Sequence, residues 1–282
     1  MRIIDEEQLD FDDVLIQPKR STLRSRSEVD VFRTFTPDFI KNVDKNDETY
    51  VRHTIKCIPI IAANMGTCGI PSVARVLVKN GMMCAMEKHL SFDELDSMFA
   101  DMSQEEGNRI ALSIGVNDSL DVLKKLGNRL RINIINIDVA NGYMLKLQDR
   151  VREVRREFPN AWIIAGNVVT GDIVTDLLNC GADIVKAGIG PGATCRTRIQ
   201  TGVGRPMISM LQECSDAAHQ IHGYVMSDGG CTCPGDVCKA LGASDFVMVG
   251  SLFAGAEEAT NGVVEIDGKR YKRFAGMSSA YA

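Results

Sequence analysis

Short runs of apolar, largely β-branched residues recur along the chain, with longer segments of mixed polarity between them. Such runs are typical of buried strands, and the segments between them are long enough for helices. Four of these segments reach a glycine just before the next run, at Gly81, Gly127, Gly181 and Gly242, where a left-handed residue can end a helix. The pattern predicts eight strands alternating with helices, at residues 58–63, 82–86, 110–114, 132–138, 162–165, 184–187, 224–227 and 246–249.

Strands that are apolar on both faces and alternate with helices belong to parallel sheets that are covered on both sides. Eight such units predict an α/β fold, the parallel (β/α)8 TIM barrel, and an open doubly wound sheet is the alternative. The 282 residues, 45% of them hydrophobic, agree with one barrel domain over residues 1–282, since such barrels run to roughly 250 residues.

Segments rich in Gly, Asp, Asn and Ser follow the predicted strand ends. In a barrel, the loops after the strands meet at one rim, where active sites lie. We therefore expect a functional rim made by residues 64–66, 138–142, 166–167, 188–195, 228–230 and 250–251.

After the eighth strand, two extended runs flank Asp267 and Gly268, a favoured hairpin turn, which predicts a hairpin or flap at about residues 261–282. A (β/α)8 barrel normally adds an eighth helix that covers the first and last strands. No such helix is predicted between the hairpin and Ala282, so the eighth helix is expected to be missing. We expect either a partner to cover this seam or the chain to be a shortened form.

Composition narrows the function class. The formal net charge is −5 and Lys and Arg are not clustered, which argues against a nucleic-acid scaffold. Nine cysteines, an odd number spread through apolar segments, indicate reduced thiols rather than a disulfide framework. The acidic N-terminal segment lacks an apolar signal core, and no apolar run approaches the ~18 residues of a membrane span. These features predict a cytoplasmic protein without a membrane or nucleic-acid partner.

The densest chemical signal is KAGIGPGATCRT at residues 186–197, where three glycines precede a cysteine. A glycine-rich loop exposes its main chain, so its carbonyls could hold a monovalent cation and its N–H groups a phosphate. A tight strand-to-helix turn is the alternative. Cys195 is the candidate nucleophile, because a thiolate attacks electron-poor carbon and the nearby Arg196 and Arg198 would favour the ionised form. The alternative is an inert buried cysteine.

The other eight cysteines are interpreted as core residues, since a free cysteine behaves as a small hydrophobe. Cys231 and Cys233 form a Cys-x-Cys pair, but no second pair or His cluster lies at zinc spacing, so no zinc site is predicted. Of the four histidines, only His89 lies on the predicted rim, beside Lys88, which could meet an anionic cofactor.

SDGGCTCPGD at 227–236 and VMVGSLFAG at 247–255 follow the seventh and eighth predicted strands. The loops after those two strands are the frequent phosphate site of barrels. Asp228 could accept hydrogen bonds from ribose hydroxyls. Backbone N–H donors for a phosphate could come from Gly229, Gly230, Gly250 and Ser251. Outside a barrel, these segments would be ordinary turns.

Five segments, in this order, resemble motifs of the IMP dehydrogenase/GMP reductase family: FDDVLIQPKRSTLRSR, PIIAANM, GIGPGATCRT, SDGGCTCPGD and VGSLFAG. The resemblance covers nearly the whole chain. IDVANGY, AGNVVTG, the GPG before the cysteine, TGVGRP and GMSS are similar to the reductase branch of the family. The chain also lacks the regulatory insert that many of the dehydrogenases carry.

The resemblance implies that Cys195 adds to C2 of GMP, that ammonia leaves with Thr197 handling the amine proton, and that hydride from NADPH yields IMP. It also implies a homotetramer and a potassium ion held by the carbonyls of Gly190, Gly192 and Cys195. Near the purine it places Gly276, Met277 and Ser278. Near the cofactor it places Lys88, Asp138, Ala140, Asn141 and Gly142.

Three departures from the family pattern bear on this expectation. Ala193 stands where the family has a serine whose hydroxyl meets the phosphate. Gly66 replaces the aspartate of the family's Asn-Met-Asp, which removes a carboxylate from the rim. The segment after GMSS, where the reductases carry a proton-donating glutamate, is not in the sequence. A catalytically impaired nucleotide-binding barrel or part of a split enzyme is therefore the main alternative, followed by an IMP dehydrogenase and a flavin barrel.

Overall fold

The computed structural model describes residues 3–36, 54–127, 132–259 and 262–276. Twelve strands lie in these ranges: β1 Arg33–Phe35, β2 Ile55–Cys57, β3 Ile60–Ala62, β4 Met83–Met86, β5 Ile110–Ile114, β6 Ile134–Asp138, β7 Trp162–Val168, β8 Ile184–Ala187, β9 Tyr224–Asp228, β10 Phe246–Val249, β11 Val263–Ile266 and β12 Lys269–Lys272. The α-helices of the same ranges are α1 Pro71–Lys79, α2 Phe92–Ala100, α3 Gln104–Gly107, α4 Asp121–Gly127, α5 Leu145–Glu157, α6 Gly171–Asn179, α7 Thr197–Thr201, α8 Met207–His219, α9 Pro234–Ala243 and α10 Ser251–Ala254.

Strands β3 to β10 form a closed parallel barrel in chain order, and β10 pairs with β3 to complete it. These eight strands are the eight predicted from the apolar runs, so the (β/α)8 barrel is confirmed and the open sheet is excluded. The predicted strand 162–165 ends too early, because β7 continues through Gly166 and Asn167 to Val168, although Asn167 still lies at the carboxyl-end rim beside Asp228. The backbone of these two positions is held by ladder hydrogen bonds, which a turn-like composition does not reveal.

The amino ends of the barrel strands are closed by aromatic side chains. Phe35, from the short β1–β2 ribbon, lies 4.1 Å from Phe246 and 5.5 Å from Tyr224, measured between ring centroids. Trp162 lies 5.9 Å from Tyr224. The Tyr224 hydroxyl donates to the carbonyl of Thr36 at 2.9 Å. The ribbon thus closes this end of the barrel with packed rings, which contribute area burial and edge-to-face contacts.

The helix ends follow the predicted glycines at two of four positions. Gly81 and Gly181 have φ of 81° and 113°, so each adopts the left-handed conformation just after a helix. For Gly127 and Gly242 the prediction is wrong, because Gly127 is the last residue of α4 and Gly242 lies within α9. The cap of α9 is Ser244, whose hydroxyl donates to the Ala240 carbonyl at 2.7 Å.

Beyond the barrel, β11 and β12 pair as an antiparallel hairpin. Its turn residues, Asp267 and Gly268, have φ of 51° and 72°, the left-handed values that a two-residue turn of this kind requires. After β10 the described residues contain the four-residue α10 and no longer helix. The hydrogen bonds between β10 and β3 nevertheless close the barrel at the seam. None of the described helices has both the length and the apolar character to cross a membrane.

Candidate active site

A row of charged side chains crosses the carboxyl end of the barrel interior. The Lys186 side chain on β8 is only 1% exposed and forms an ion pair with Asp138 at the end of β6. Its Nζ also lies 3.8 Å from Oδ2 of Asp228 at the end of β9. Two amides complete the row: Asn64 Nδ2 donates to Asp138 Oδ2 at 3.1 Å, and Asn167 Nδ2 donates to Asp228 Oδ2 at 2.6 Å.

The three ionisable groups hold one another in defined charge states. Burial alone would raise the pKa of Asp138, but the Lys186 charge and the hydrogen bonds from Lys186 and Asn64 outweigh it and lower the pKa below its ordinary value. Burial would lower the pKa of Lys186, yet Asp138 and Asp228 together raise it. For Asp228, burial dominates and raises the pKa. The lysine is therefore a fixed cation between an ionised carboxylate and a second carboxyl that binds protons more readily.

The sequence analysis did not predict that the Lys186 side chain belongs to the site. It stands in the apolar run DIVKAG, and a lone lysine inside a predicted barrel strand is the signal that could have found it. The space around it depends on Gly166, because a Cβ there would lie 2.5 Å from the Lys186 carbonyl oxygen and 2.7 Å from its Cβ. Gly166 is thus needed for the close approach of β7 to β8.

The glycine-rich loop after β8 presents the candidate nucleophile to solvent. Gly188 and Gly190 have φ of 143° and 78°, values that side chains rarely tolerate. The N–H of Cys195 donates to the Gly192 carbonyl at 2.9 Å, and its thiol lies 3.3 Å from the hydroxyl oxygen of Thr197, the first residue of α7. Cys195 is exposed.

The remaining cysteines form a contrast with Cys195. Six of the other eight are buried, and burial raises the pKa of Cys57, Cys214 and Cys231 to about 12. A thiol with such a pKa stays protonated and unreactive near neutral pH. The prediction that all eight lie in the core is wrong for Cys233 and Cys238, which are exposed at the start and in the middle of α9. All nine cysteines are free, and the described residues contain no His/Cys/Asp/Glu group that could hold a metal.

Arg198 supports the loop rather than pointing at the cysteine. Its guanidinium donates to the carbonyls of Ile189 at 3.3 Å and Arg205 at 2.7 Å, and it lies 3.6 Å from an Asp10 carboxylate oxygen. Arg198 thus joins the glycine-rich loop after β8 to Arg205 and to Asp10 in the N-terminal segment. Arg196, the residue before α7, is exposed beside Cys195.

The predicted phosphate loops meet the cysteine loop. Gly229 and Gly230 both have positive φ, and a Cβ on Gly229 would lie 3.3 Å from the Gly192 backbone nitrogen. The Ser251 hydroxyl donates to the Cys231 carbonyl at 3.5 Å, which joins the loops after β9 and β10. The loops after the last three barrel strands therefore form one continuous surface.

The segment after the hairpin returns to the same surface. Phe274 lies 3.8 Å from the position that a Cβ on Gly250 would take. A Cβ on Gly276 would lie 3.3 Å from the Thr194 hydroxyl oxygen in the cysteine loop. Gly276 therefore lies beside Thr194, the residue before Cys195, and its contact with the purine stays a prediction. Met277 and Ser278 lie outside the described residues.

The residues expected near a cofactor lie on the opposite arc of the rim, after β4 and β6. Lys88 is half-buried, and its charge helps to lower the pKa of Asp138. Gly142 donates its N–H to the Asn167 carbonyl at 2.9 Å, and a Cβ there would come within 2.6 Å of that same oxygen. Ala140 and Asn141 are exposed at the turn before it, where the Asn141 side chain accepts from the Tyr143 N–H at 3.0 Å. Gly142 thus ties the exposed turn at Ala140 and Asn141 to the end of β7.

A closed parallel barrel with an exposed cysteine, a buried lysine and paired carboxylates at the carboxyl-end rim has the arrangement of a barrel enzyme. The chain belongs to the IMP dehydrogenase / GMP reductase domain family, whose sequence profile matches residues 8–282. Both names of this family describe oxidoreductases.

Individual relatives agree over nearly the full chain. It is 46% identical to GMP reductase 2 of Homo sapiens over 277 residues, which cover 97% of this chain and 76% of that protein. It is 46% identical to the GMP reductase of Ascaris suum over 283 residues, covering 99% and 76% of the two chains. Identity to the GMP reductase of Shewanella pealeana (strain ATCC 700345 / ANG-SQ1) is 46% over 285 residues, covering 100% and 79%.

Proposed function

We propose that this protein is a GMP reductase, which converts GMP to IMP and ammonia at the expense of NADPH. The observation that carries the proposal is the exposed Cys195 thiol, 3.3 Å from the Thr197 hydroxyl oxygen, on the rim of a barrel of this family. Its relatives named GMP reductase, at 44–46% identity, support the same reaction.

We propose one orientation of GMP on the rim. The loops at Gly229–Gly230 and Gly250–Ser251 offer backbone N–H groups to the phosphate, a common use of the loops after the last two strands. Asp228 accepts from the ribose hydroxyls. The purine then extends over the cysteine loop toward Gly276, with Met277 and Ser278 proposed to follow it. In this orientation C2 faces Cys195.

The chemistry proceeds through Cys195. Its thiol loses a proton, a bond forms between Sγ and C2, and the bond from C2 to the exocyclic nitrogen breaks. The Thr197 hydroxyl donates to the departing nitrogen and receives the thiol proton in return, so that ammonia leaves. After hydride reaches C2, the C–S bond breaks and Cys195 regains a proton from solvent. The sum is GMP, NADPH and one proton giving IMP, NADP⁺ and ammonia.

The part of the rim that follows β4 and β6 is proposed to bind NADPH. When bound, NADPH supplies the hydride. Lys88 offers a cation to its phosphates, and the turn at Ala140, Asn141 and Gly142, which the Gly142 N–H ties to β7, is proposed to lie beside the nicotinamide. Asp138, ionised and fixed by Lys186 and Asn64, accepts a hydrogen bond from the bound ligands.

Potassium is proposed at the carbonyls of Gly190, Gly192 and Cys195. Backbone oxygens are the ligands that such a cation prefers, and the positive φ of Gly190 turns the main chain at this loop. A bound cation would hold the turn that presents Cys195. Activity compared in potassium and in a bulky organic cation at equal ionic strength tests this role.

We also propose a cytoplasmic homotetramer. In the N-terminal segment the adjacent Leu15 and Ile16 are 89% and 59% exposed, and neighbouring exposed apolar side chains of this size suit an association surface. Nine free cysteines suit a reducing compartment. Sedimentation at several protein concentrations measures the assembly.

The test of function is turnover of GMP by the purified chain with NADPH. We expect equal amounts of IMP, ammonia and NADP⁺, and no product when NADPH is left out. A chain that binds GMP but forms none of these would contradict the proposal and favour the catalytically impaired barrel. Reduction of NAD⁺ with IMP would instead indicate the dehydrogenase reaction.

A further inference from the structure

One buried aromatic side chain of the N-terminal segment lies where two loops of the rim meet. Phe11 is 4% exposed and is the one buried residue in the described range 3–34. A Cβ on Gly230 would lie 3.2 Å from Phe11 Cε2 and 3.3 Å from Pro191 Cβ. Both side chains therefore lie against Gly230, Pro191 from the glycine-rich loop after β8 and Phe11 from outside either loop.

Two helices hold the Phe11 backbone in this position. The Leu9 N–H donates to Ser209 Oγ on α8 at 2.8 Å, and the Ser209 N–H donates to the Leu9 carbonyl at 3.2 Å. Lys239 Nζ on α9 donates to the Phe11 carbonyl at 2.7 Å. Because α8 packs on β9 and α9 packs on β10, these bonds fix the Phe11 ring independently of the loops that it contacts.

The two loops contain residues with wide conformational freedom. Gly229 and Gly230 have φ of 85° and 84°. Residues 188–196 and 229–233 belong to neither a strand nor a helix. Glycine loses more conformational entropy on ordering than any other residue, so a loop of this composition adopts several conformations unless packing restricts it. Contact with the fixed Phe11 ring provides such a restriction.

We propose that Phe11 is a positioning residue for the substrate: it holds Gly230 against Pro191 and so keeps the two loops in the arrangement that binds the phosphate of GMP. The inference rests on the proposed function and extends it to a residue that acts through the loops. The loop after β9 carries N–H groups proposed for the phosphate, and the glycine-rich loop carries Cys195. Their relative position therefore sets the distance between the bound phosphate and the nucleophile.

The location of Phe11 predicts an effect on the substrate and not on the cofactor. Its contacts follow β8 and β9, whereas the residues proposed for NADPH follow β4 and β6. When only a fraction of the free chain has the loops in the binding arrangement, the apparent Kd of GMP rises by the inverse of that fraction. Bound GMP orders the loops again, so the later chemical steps change little. Loss of the ring should therefore raise the KM for GMP without a comparable change in kcat.

The first test is hydrogen–deuterium exchange of the free chain, which needs no ligand. In Phe11→Ala the amides of residues 188–196 and 229–233 should exchange about tenfold faster than in the wild type, because the loops open more often, and those of residues 138–143 should not change. The Kd and KM of GMP should rise about tenfold, with kcat within about threefold and the KM for NADPH unchanged. Phe11→Leu keeps an apolar side chain at the contact and should stay within about threefold of the wild type in each measurement.

Lys239→Met is a milder variant that keeps the Phe11 ring. It removes the hydrogen bond to the Phe11 carbonyl and the ion pair with Asp236, which spans 3.6 Å. If Phe11→Ala does not fold, Lys239→Met should still raise the Kd of GMP about threefold, as expected for the loss of one weak hydrogen bond, and speed exchange in the same two loops.

Phe35→Ala is the matched control, because Phe35 is 5% exposed and lies at the amino ends of the barrel strands. It should lower the unfolding midpoint about as much as Phe11→Ala does, but leave loop exchange and the Kd of GMP unchanged. An equal rise in Kd for both variants, unchanged loop exchange in Phe11→Ala, or a fall in kcat at constant KM would overturn the inference. If the wild-type chain binds GMP without reducing it, only the proposed function fails, and loop exchange and the Kd still decide the role of Phe11.

Discussion

The two ends of the barrel interior are built from the same strands but are closed by opposite chemistry. At the amino ends, Trp162, Tyr224 and Phe246 pack with Phe35 as a ring cluster. At the carboxyl ends, β6, β8 and β9 carry Asp138, Lys186 and Asp228. The two ends therefore have different roles, one in stability and one in ligand binding. The aromatic end stabilises the closed barrel through burial, whereas the charged end carries a desolvated ion pair that stabilises little by itself and serves the ligand site.

Lys186→Met is the strongest way to break this comparison. It leaves Asp138 and Asp228 without their shared cation, and removing one partner of a buried pair costs about 3–5 kcal/mol. We expect that loss in the free energy of unfolding, measured with urea, together with loss of GMP reduction by about 10³-fold or more, because the rim carboxylates would take up protons. Normal activity in a folded Lys186→Met variant would show that the charged row is not part of the site.

Phe246→Ala is the matched change at the aromatic end. Truncation of a buried phenylalanine costs about 3–5 kcal/mol, so the unfolding midpoint should fall by a similar amount as for Lys186→Met. At temperatures well below unfolding, kcat and KM should remain near the wild-type values. If kcat fell as far as in Lys186→Met, the separation of the two ends would be wrong.

Acid titration sharpens the comparison within the charged end. Asp138 has a lowered pKa in the fold, so it contributes stability above its unfolded pKa of about 3.9, and this contribution is lost as pH falls through the lower folded value. Asp228 has a raised pKa, so its protonation as pH falls through that value favours the fold. Unfolding free energies across pH 3–7 should thus fall less steeply in Asp138→Asn and more steeply in Asp228→Asn than in the wild type. Equal slopes in all three proteins would contradict the assigned directions.

The smallest expected effect is a gain in affinity for GMP from a substitution in the cysteine loop. Ala193→Ser restores the hydroxyl that the family has at this exposed position, and a neutral hydrogen bond contributes about 1 kcal/mol, or roughly fivefold in affinity. The KM for GMP should fall by about that factor while kcat stays the same. A KM that does not change would indicate that the phosphate does not reach residue 193.

Sequence periodicity was sufficient for the barrel because each strand is a short apolar run bounded by turn residues, as Ile184–Ala187 illustrates. It was not sufficient for side-chain partners. Lys186 pairs with Asp138, 48 residues away in the chain, and the pairing requires a closed barrel. It also requires that residue 166 have no Cβ, and a local sequence pattern contains neither condition.

The candidate site shows the same division. Cys195 and the glycine loops were found from composition and resemblance, because reactive thiols and tight turns need those residue types. Arg198 was expected to act on the thiol, and only its contacts to Ile189 and Arg205 reveal a role in holding the loop.

The central claim is that Cys195 forms the covalent bond to C2 of the purine, and the most direct measurement is GMP turnover by Cys195→Ala beside the wild type. The variant removes an exposed sulfur, so folding and GMP binding should be preserved. We predict IMP and ammonia from the wild type, and a decrease of about 10⁴-fold or more in the variant with the Kd of GMP within a few-fold. Turnover by Cys195→Ala within tenfold of the wild type would contradict the account.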